Sequence, residues 1–253
     1  PNRKMHIFPM ASINFSNNKK LPVDLMEKFS LKNSDDKILI YVGTLSKLRN
    51  MQFLIKVFYR LSKRNKIKLL IIGDGEDIVD LKSLSKSLDL SQKIIFLGRV
   101  KHEYIPKLIS LSDIGISPIP PYSIFMQGSA TKTIEYLSQG IPVVGNPIAD
   151  QKEVIQYSRG GICVNYNEES FVNAIEWLLT NSKLSKKMGE KGRQWVMKNR
   201  NYNNIGASAQ LNHFKSLLNI HGFSHQAVSS ESPAHKEVRY KKISEIFSHE
   251  QSR

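Results

Sequence analysis

The sequence has little of what marks secreted, disulfide-bonded or membrane-spanning proteins. Its one cysteine, Cys163, cannot form an internal disulfide, so nothing indicates an oxidising compartment. No apolar run approaches the roughly 20 residues that a membrane-spanning helix needs. The first residues, PNRKM, lead into no apolar core of a secretory signal, and they lack an initiator methionine. We therefore expect a processed or excised chain and a cytoplasmic location.

Motifs of several common chemistries are missing as well. The sequence contains no G-x-x-x-x-G-K-S/T loop, which excludes P-loop nucleotide hydrolysis, and no G-x-S-x-G nucleophile elbow. Its seven histidines and single cysteine show no metal-ligand spacing. We therefore expect a protein that requires neither a metal nor another cofactor.

An excess of positive charge is the first thing that the sequence does contain. In a chain of 253 residues, 37 lysines and arginines stand against 22 acidic residues, a net charge of +15. The basic residues are concentrated in 46–68 and 183–200. Such surfaces attract phosphates, anionic lipid headgroups or nucleic acid. The alternative interpretation is a generally basic soluble protein with solvated lysines.

From residue 37 onward, short apolar runs alternate with helical patterns. This alternation predicts an α/β protein whose parallel, doubly wound, Rossmann-like sheet carries helices on both faces. We predict strands at 38–42, 69–72, 93–97, 114–117, 141–145 and 161–164. We predict helices at 50–64 with Asn50 as cap, 78–88, 102–111 with Pro106 in the first turn, 131–139, 168–181, 183–199 and 203–219.

Turns rich in glycine follow the first three predicted strands. The first turn contains Gly43, the second contains Gly73, Asp74 and Gly75, and the third contains Gly98. The fourth strand ends at Ser117 and leads into a loop at 118–130. Right-handed crossovers place the carboxyl ends of parallel strands on one edge of the sheet, where ligands bind in such folds. These turns therefore predict a binding crevice.

The stretch 131–145 is the centre of this prediction. It has the pattern of a short helix that Gly140 ends in a left-handed cap, followed by a buried strand. Glu135 lies about one turn from the helix start, where free backbone N–H groups favour a phosphate. A carboxylate there could accept two hydrogen bonds from a ribose diol, which suits a nucleotide diphosphate. The alternative is an ordinary solvated helix carboxylate.

Five motifs in order resemble a known family. They are YVGTLSKLRN (41–50), IGDG (72–75), IFLGRV (95–100), SDIGISP (112–118) and TKTIEYLSQGIPVV (131–144). Together they resemble the C-terminal, nucleotide-sugar-binding half of retaining GT-B glycosyltransferases, above all family 4, the glycosyl transferases group 1. The resemblance covers about 37–200. It implies one half of a GT-B fold and an enzyme that transfers a sugar from a nucleotide-diphosphate donor.

The resemblance also implies roles for particular residues. Glu135 matches the carboxylate that holds the donor ribose, and Arg49 with Lys47 matches the basic site on the donor diphosphate. Catalysis would rest on electrostatic stabilisation of that leaving group. Lys132 is a candidate second phosphate contact. The remaining donor-binding candidates are the first-strand turn (Gly43, Thr44), the second-strand turn (Gly73, Asp74, Gly75), the phosphate cradle (Ser129, Ala130, Thr131) and the site of the base (Gly98, Val100).

Two positions depart from the family pattern. Where the family often has a glutamate facing the donor sugar, this sequence has Gln127, and where it has an arginine after the first-strand glycine, this sequence has Thr44. Gln127 can exchange hydrogen bonds with the sugar but cannot stabilise a developing positive charge as a carboxylate could. These changes affect the expected sugar and turnover, not the expected fold.

The resemblance implies that a domain which holds the acceptor precedes residue 1. We then expect 1–36 to be a linker or a remnant of that domain, 37–200 the donor-binding domain, 201–222 a helix crossing back to the acceptor domain, and 223–253 a mostly disordered tail. The alternative for 223–253 is a helix on a membrane surface, with Val238, Ile243, Ile246 and Phe247 on its apolar side.

Three functions remain open from the sequence. The first is the donor-binding half of a retaining glycosyltransferase, whose acceptor would be lipid-linked or a polysaccharide, at the inner face of the membrane. The second is a nucleotide-sugar-binding module without turnover. The third is a basic surface for a polyanion or a membrane, with peripheral membrane contact but no specific nucleic acid.

Overall fold

The computed structural model of the chain describes residues 20–23, 25, 35–126, 128 and 131–201. They all belong to the first of two compact units, Pro1–Ile205, and the second unit is Gly206–Arg253. The predicted linker at 1–36 falls largely outside the described residues. Gln127, Ser129, Ala130, the predicted helix at 203–219 and the tail at 223–253 fall outside them entirely. The predicted division into domains therefore stays a prediction.

The described residues form one six-stranded parallel sheet. In chain order the strands are β1 (Lys37–Val42), β2 (Ile67–Ile72), β3 (Ile94–Gly98), β4 (Ile114–Ser117), β5 (Val143–Gly145) and β6 (Gly161–Cys163). Their order in space is β3-β2-β1-β4-β5-β6, and every neighbouring pair is parallel. The predicted doubly wound, Rossmann-like sheet is confirmed. The residues of β1 and β2 pair one to one without a bulge, from Lys37 opposite Ile67 to Val42 opposite Ile72.

Helices connect the strands on both faces. They are α1 (Met51–Ser62), α2 (Ile78–Ser87), α3 (Ile105–Ser110), α4 (Ser123–Met126), α5 (Thr131–Ser138), α6 (Ala149–Ser158), α7 (Glu168–Thr180) and α8 (Ser182–Asn199). Short 3-10 turns at Lys47–Arg49 and His102–Tyr104 precede α1 and α3. No helix in the described part of the chain is long and apolar enough to cross a membrane.

The core has two layers because successive side chains of a strand point to opposite faces of the sheet. Leu39 and Tyr41 of β1 pack with α1, α2 and α7. Ile38 and Ile40 pack on the other face with α3, α5, α6 and α8. The continuous apolar sequence of β1 follows from this burial on both sides.

Three local predictions need adjustment. Asn50 stands at the start of α1 but takes the left-handed conformation (φ 47°), and its side chain does not cap the helix. The predicted helix at 102–111 is a 3-10 turn followed by α3, with Pro106 in the first α-helical turn as expected. The stretch before β6, for which no helix was predicted, contains α6. Its apolar contribution is small, because Val154 and Ile155 are its only buried hydrophobic side chains among the described residues.

Candidate functional site

The carboxyl edge of the sheet contains a switch point between β1 and β4. From β1 the chain proceeds outward through β2 and β3, whereas β4 begins a second set that proceeds outward in the other direction. In doubly wound sheets the crevice at such a point is where ligands bind. Gly43 follows β1, Gly98 ends β3 and Ser117 ends β4, so the predicted turns do meet at this edge.

The turns after β1 and β2 are packed directly against each other. The backbone N–H of Leu45 donates to the carbonyl of Asp74 (3.0 Å), and the N–H of Asp77 donates to the carbonyl of Leu45 (3.0 Å). A side chain on Gly73 would overlap the carbonyl oxygen of Gly43, and φ at Gly73 is +139°. Glycine is therefore required at 73 to hold the first turn, and with it the 3-10 turn that carries Lys47 and Arg49.

The helix α5 is anchored to β1 through Tyr136. Its phenol oxygen accepts a hydrogen bond from the backbone N–H of Val42 (2.8 Å), and its ring is fully buried. The ring lies against Gly115 of β4, where any larger side chain would overlap it. Burial raises the pKa of Tyr136 well above the usual range of a phenol. Glu135, the neighbour of Tyr136, is thereby placed at the switch point.

Glu135 lies in the crevice beside two basic side chains. Burial raises the pKa of its carboxyl, while the charges of His102 and Lys132 oppose that rise. Lys132 is nearly one turn earlier on α5, as the sequence predicts, whereas His102 comes from the turn after β3. No periodic pattern in the sequence identifies His102, because its proximity to Glu135 depends on how the turn after β3 and α5 meet in space.

Two cations at this edge rest on aromatic rings. The Lys132 ammonium lies 4.2 Å from the centre of the Tyr41 ring and close to Gly43. The Arg49 guanidinium lies 4.4 Å from the centre of the Phe125 ring in α4. Cation–π contacts of this kind hold a charged group in place while leaving its N–H donors available. Both cations therefore face the crevice as candidate phosphate ligands.

Lys47 is placed differently from Arg49. Its backbone N–H donates to a Glu76 carboxylate oxygen (3.3 Å), and its charge lies close enough to Asp77 to oppose the rise in the pKa of that carboxyl, which burial causes. One Asp77 carboxylate oxygen is buried without a hydrogen-bond partner. Lys47 therefore lies beside the acidic turn after β2, and its role at a diphosphate stays a prediction.

The turn after β3 leaves room for a further group. Gly98 has φ +70°, and a Cβ built on it would meet nothing within 4 Å. Arg99 forms an exposed ion pair of 3.5 Å with Asp74, and Val100 packs against the second core layer. The predicted position of the base therefore has an open space beside the half-buried Gly98.

A buried polar network supports the β4 side of the crevice. The Gln151 carboxamide oxygen accepts hydrogen bonds from the hydroxyls of Ser117 and Thr133, and its NH2 group donates to the carbonyls of Ser117 (3.1 Å) and Asn146 (2.9 Å). The Asn146 side chain in turn pairs with the backbone of Ile119 at 2.8 Å in both directions. The network joins the start of the loop after β4 to α5 and α6.

Sequence reasoning missed this network. The only available signal was the appearance of polar residues directly after buried strands, Ser117 at the end of β4 and Asn146 after β5. Gln151 lies in α6, for which no helix was predicted. Its partners are up to 34 residues away, so no local pattern identifies them.

The structure therefore brings Arg49, Lys132 and Glu135 to the same edge, along with the predicted glycine turns. Thr44 is also in this region, where its carbonyl accepts a hydrogen bond from the Tyr41 phenol (3.4 Å). Thr131 begins α5. Within the described residues, no three histidine, cysteine, aspartate or glutamate side chains are grouped so that they could hold a metal ion.

Comparison with known families gives the decisive observation. The family model "Glycosyl transferases group 1" matches residues 23–195, more than half of the chain. The chain belongs to this family. Every element of the crevice, from β1 to α6, lies within the matched residues.

Individual glycosyltransferases are similar over part of their length. The N-acetyl-alpha-D-glucosaminyl L-malate synthase of Bacillus anthracis is 26% identical over 176 residues, which are 68% of this chain and 43% of that protein. An uncharacterized glycosyltransferase of Methanocaldococcus jannaschii, MJ1607, is 24% identical over 78% of this chain and 50% of its own length. The chain spans about half the length of the curated relatives it matches.

Solved glycosyltransferase structures share the fold. HepE of Anabaena, crystallised in complex with UDP, superposes with a TM-score of 0.62 at 15% identity, covering 76% of this chain and 52% of HepE. The C-terminal domain of a glycosyl transferase group 1 protein (LpcC) from Francisella tularensis superposes with a TM-score of 0.57 at 20% identity, covering 65% of this chain and 85% of that domain. The sheet described here thus has the Rossmann-like fold of one half of these GT-B glycosyltransferases.

Proposed function

We propose that the chain is the C-terminal, donor-binding half of a retaining glycosyltransferase of family 4. In this proposal it binds a nucleotide-diphosphate sugar and acts on an acceptor held by an N-terminal domain. The observation that carries the proposal is the arrangement on α5, where Lys132 and Glu135 lie nearly one turn apart at the switch point. A cation near the helix start suits a diphosphate, and a carboxylate one turn further suits a ribose diol.

The other crevice residues extend this arrangement. Arg49 and Lys47 approach the diphosphate from the turn after β1, and the first turn of α5, which begins at Thr131, approaches it from the opposite side. As the sugar bond breaks, negative charge develops on the diphosphate, and fixed cations in a half-buried crevice stabilise it. The open backbone at Gly98 suits the base. Gln127 would exchange hydrogen bonds with the sugar.

The comparisons support the proposal without assigning a substrate. HepE has been solved with UDP, which is a nucleoside diphosphate of the proposed class. The Francisella domain was solved as a C-terminal domain by itself, and this chain covers most of it. As parts of the same proposal, the protein needs no metal, works in the cytoplasm at the inner face of the membrane, and uses a lipid-linked or polysaccharide acceptor.

Binding to a panel of donors tests the proposal. UDP-, GDP- and ADP-sugars are titrated into the 253-residue chain by calorimetry, in parallel with the variants Glu135→Gln and Glu153→Gln. Glu153 is exposed on α6 and serves as the matched control. We expect one class of donor to bind the parent and the control equally, and the Glu135 variant more weakly. Binding of none of the donors, or equal binding by all three proteins, would contradict the proposed site.

The second candidate is a nucleotide-sugar-binding module without turnover. Gln127 favours it, because an amide cannot stabilise a developing positive charge as a carboxylate could. In either case we expect the 253-residue chain to bind a donor and to transfer no sugar by itself. Adding the domain that precedes it in a longer protein should restore transfer if the chain is half of an enzyme, and should not if it is a binding module.

A further inference from the structure

The helix α8 exposes a continuous basic face. This basic face consists of Lys183, Lys186, Lys187, Lys191, Arg193 and Lys198, all exposed, with Glu190 as the acidic residue among them. At about 100° per residue, the six cations fall within one side of the helix. The opposite side is buried and contains Ser185, Gly189, Gly192 and Val196.

The small buried residues hold α8 close to the sheet. A side chain on Gly189 would overlap the carbonyl oxygen of Gly140, and one on Gly192 would approach the Cα of Gly160 within 3.1 Å. Gly140 and Gly160 precede β5 and β6, so this part of α8 passes the amino edge of the sheet, opposite the donor crevice. The helix is therefore a rigid support that spreads its cations over roughly 22 Å.

The charge of the basic face is not balanced within the described part of the chain. None of its six cations forms a salt bridge there, although cations of the other basic stretch do. Arg60 lies 3.9 Å from Glu168, Arg64 lies 3.9 Å from Glu176, and Lys68 lies 3.5 Å from Asp36. In the stretch 46–68, three of the eight cations are thus paired, whereas α8 presents six cations on one face with no acidic partner in the described part of the chain.

Two apolar side chains flank the turn at which α8 begins. Trp177, one turn before the end of α7, is 44% exposed, and Leu184, in the first turn of α8, is 49% exposed. Tryptophan is enriched where a protein meets the headgroup region of a bilayer, and leucine gains from entering it. A soluble phosphate needs only one or two cations at a point. A nucleic acid base could stack on Trp177, but neither a phosphate nor a nucleic acid offers an apolar layer that Leu184 could enter.

We propose that the basic face of α8, with Trp177 and Leu184, docks on an anionic lipid bilayer. Phosphate headgroups would meet the line of cations while the two apolar side chains enter the headgroup boundary. The surface is separate from the donor crevice, so nucleotide binding and bilayer binding are independent. Docking would leave the crevice at the carboxyl edge available while the protein lies on the membrane.

Sedimentation with vesicles tests this surface. The 253-residue chain is mixed with phosphatidylcholine vesicles with or without about 30% phosphatidylglycerol, at about 0.1 M and about 0.5 M salt. The α8 variant carries Lys183→Gln, Lys187→Gln, Lys191→Gln and Lys198→Gln. The matched control loses the same charge from the α1 and α2 side through Lys56→Gln, Lys66→Gln, Lys82→Gln and Lys86→Gln. Glutamine preserves the helix propensity of lysine.

The parent should bind the anionic vesicles at low salt and lose that binding at high salt. It should not bind vesicles of pure phosphatidylcholine. Each lysine near an anionic bilayer contributes a factor of about five in partitioning, so the α8 variant, which lacks four lysines, should bind roughly 600-fold more weakly. The control should bind within a few-fold of the parent. Replacing Trp177 and Leu184 by alanine should weaken vesicle binding several-fold while leaving all charges in place.

Several results would overturn the proposal. The first is that the parent does not bind anionic vesicles, and the second is that the control variant loses as much vesicle binding as the α8 variant. The third is that the α8 lysines are needed for binding a duplex or single-stranded nucleic acid but not for binding vesicles. Circular dichroism and the melting temperature of each variant verify folding. Calorimetry with the donor verifies that the crevice is intact, which separates a failure here from a failure of the donor site.

Discussion

The phenol oxygen of Tyr136 accepts a 2.8 Å hydrogen bond from the backbone N–H of Val42, across 94 residues of sequence. This bond ties the helix that carries Glu135 to the last residue of the central strand. Because the Tyr136 ring is fully buried against Gly115, its hydroxyl cannot reach water if the bond is lost. The position of Glu135, the proposed ribose-binding carboxylate, thus depends on the hydrogen bond of its neighbour Tyr136.

We predict that Tyr136→Phe destabilises the fold by about 1–3 kcal/mol, because the partly buried N–H of Val42 loses its acceptor. The ring remains, so packing is little changed. Urea denaturation measures the difference. Tyr157→Phe is the control, since Tyr157 is 69% exposed and its change should stay within about 0.5 kcal/mol. Equal stabilities for the two variants would show that the bond contributes nothing.

For Glu135, the expected result is a preference for ribose over 2′-deoxyribose. Removing one hydroxyl leaves part of a charged acceptor unpaired, which should cost about 1–3 kcal/mol of binding free energy. Glu135→Gln should keep the fold and some diphosphate affinity while losing most of that preference. Titrating UDP against deoxy-UDP, and GDP against deoxy-GDP, measures it. A parent that binds ribo and deoxy forms equally would remove Glu135 from the site.

The same preference should depend on pH. Burial raises the pKa of Glu135 above the ordinary 4.5, so its carboxyl takes up a proton at a higher pH than an exposed glutamate does. The ribose preference needs the ionised form, so it should be fully present at a pH well above that raised pKa and disappear as the pH falls through it. Glu135→Gln should show no such dependence. A parent preference that persists to about pH 4 would contradict this mechanism.

Arg49→Ala should weaken nucleoside diphosphate binding by about 1.5–3 kcal/mol, the range for charged hydrogen bonds. The guanidinium is held on the Phe125 ring at the crevice edge, so little rearrangement compensates for its loss. Calorimetry with UDP or GDP measures the change. Arg193→Ala, on the exposed side of α8, is the control and should leave the dissociation constant unchanged. The same constant for Arg49→Ala and the parent would exclude a role in diphosphate binding.

Gln151→Leu should destabilise the fold by at least about 2 kcal/mol, because it leaves the hydroxyls and carbonyls of the network buried without partners. Gln156→Leu is the matched control, since Gln156 is exposed on the same helix and should change stability by less than about 0.5 kcal/mol. Denaturant titration measures both. A stable Gln151 variant would mean that the loop after β4 is held by other contacts.

Much of the fold was predictable from the sequence for a local reason. A strand buried on both faces must be apolar throughout, and the turn after it needs glycine or polar residues, so β1, β2 and β4 and the edge that they share could be inferred from the pattern. Glu135 could be placed on that edge because helix geometry relates it to the start of α5. The unpredicted α6 lacked this signal, since few of its side chains are buried and most of its sequence is polar.

The sequence by itself determined the parallel sheet, the order of its turns and the basic character of the chain, because each of these depends on residues close together in the chain. Only the tertiary structure decided which groups meet across long separations. Examples are Tyr136 with Val42, Lys132 with Tyr41, and Gln151 with Ser117. It also decided that the six exposed cations of α8 share one face without an acidic partner among the described residues, while three cations of the stretch around α1 are paired. Composition records how many charges a chain has, whereas folding determines which of them find a partner of opposite sign.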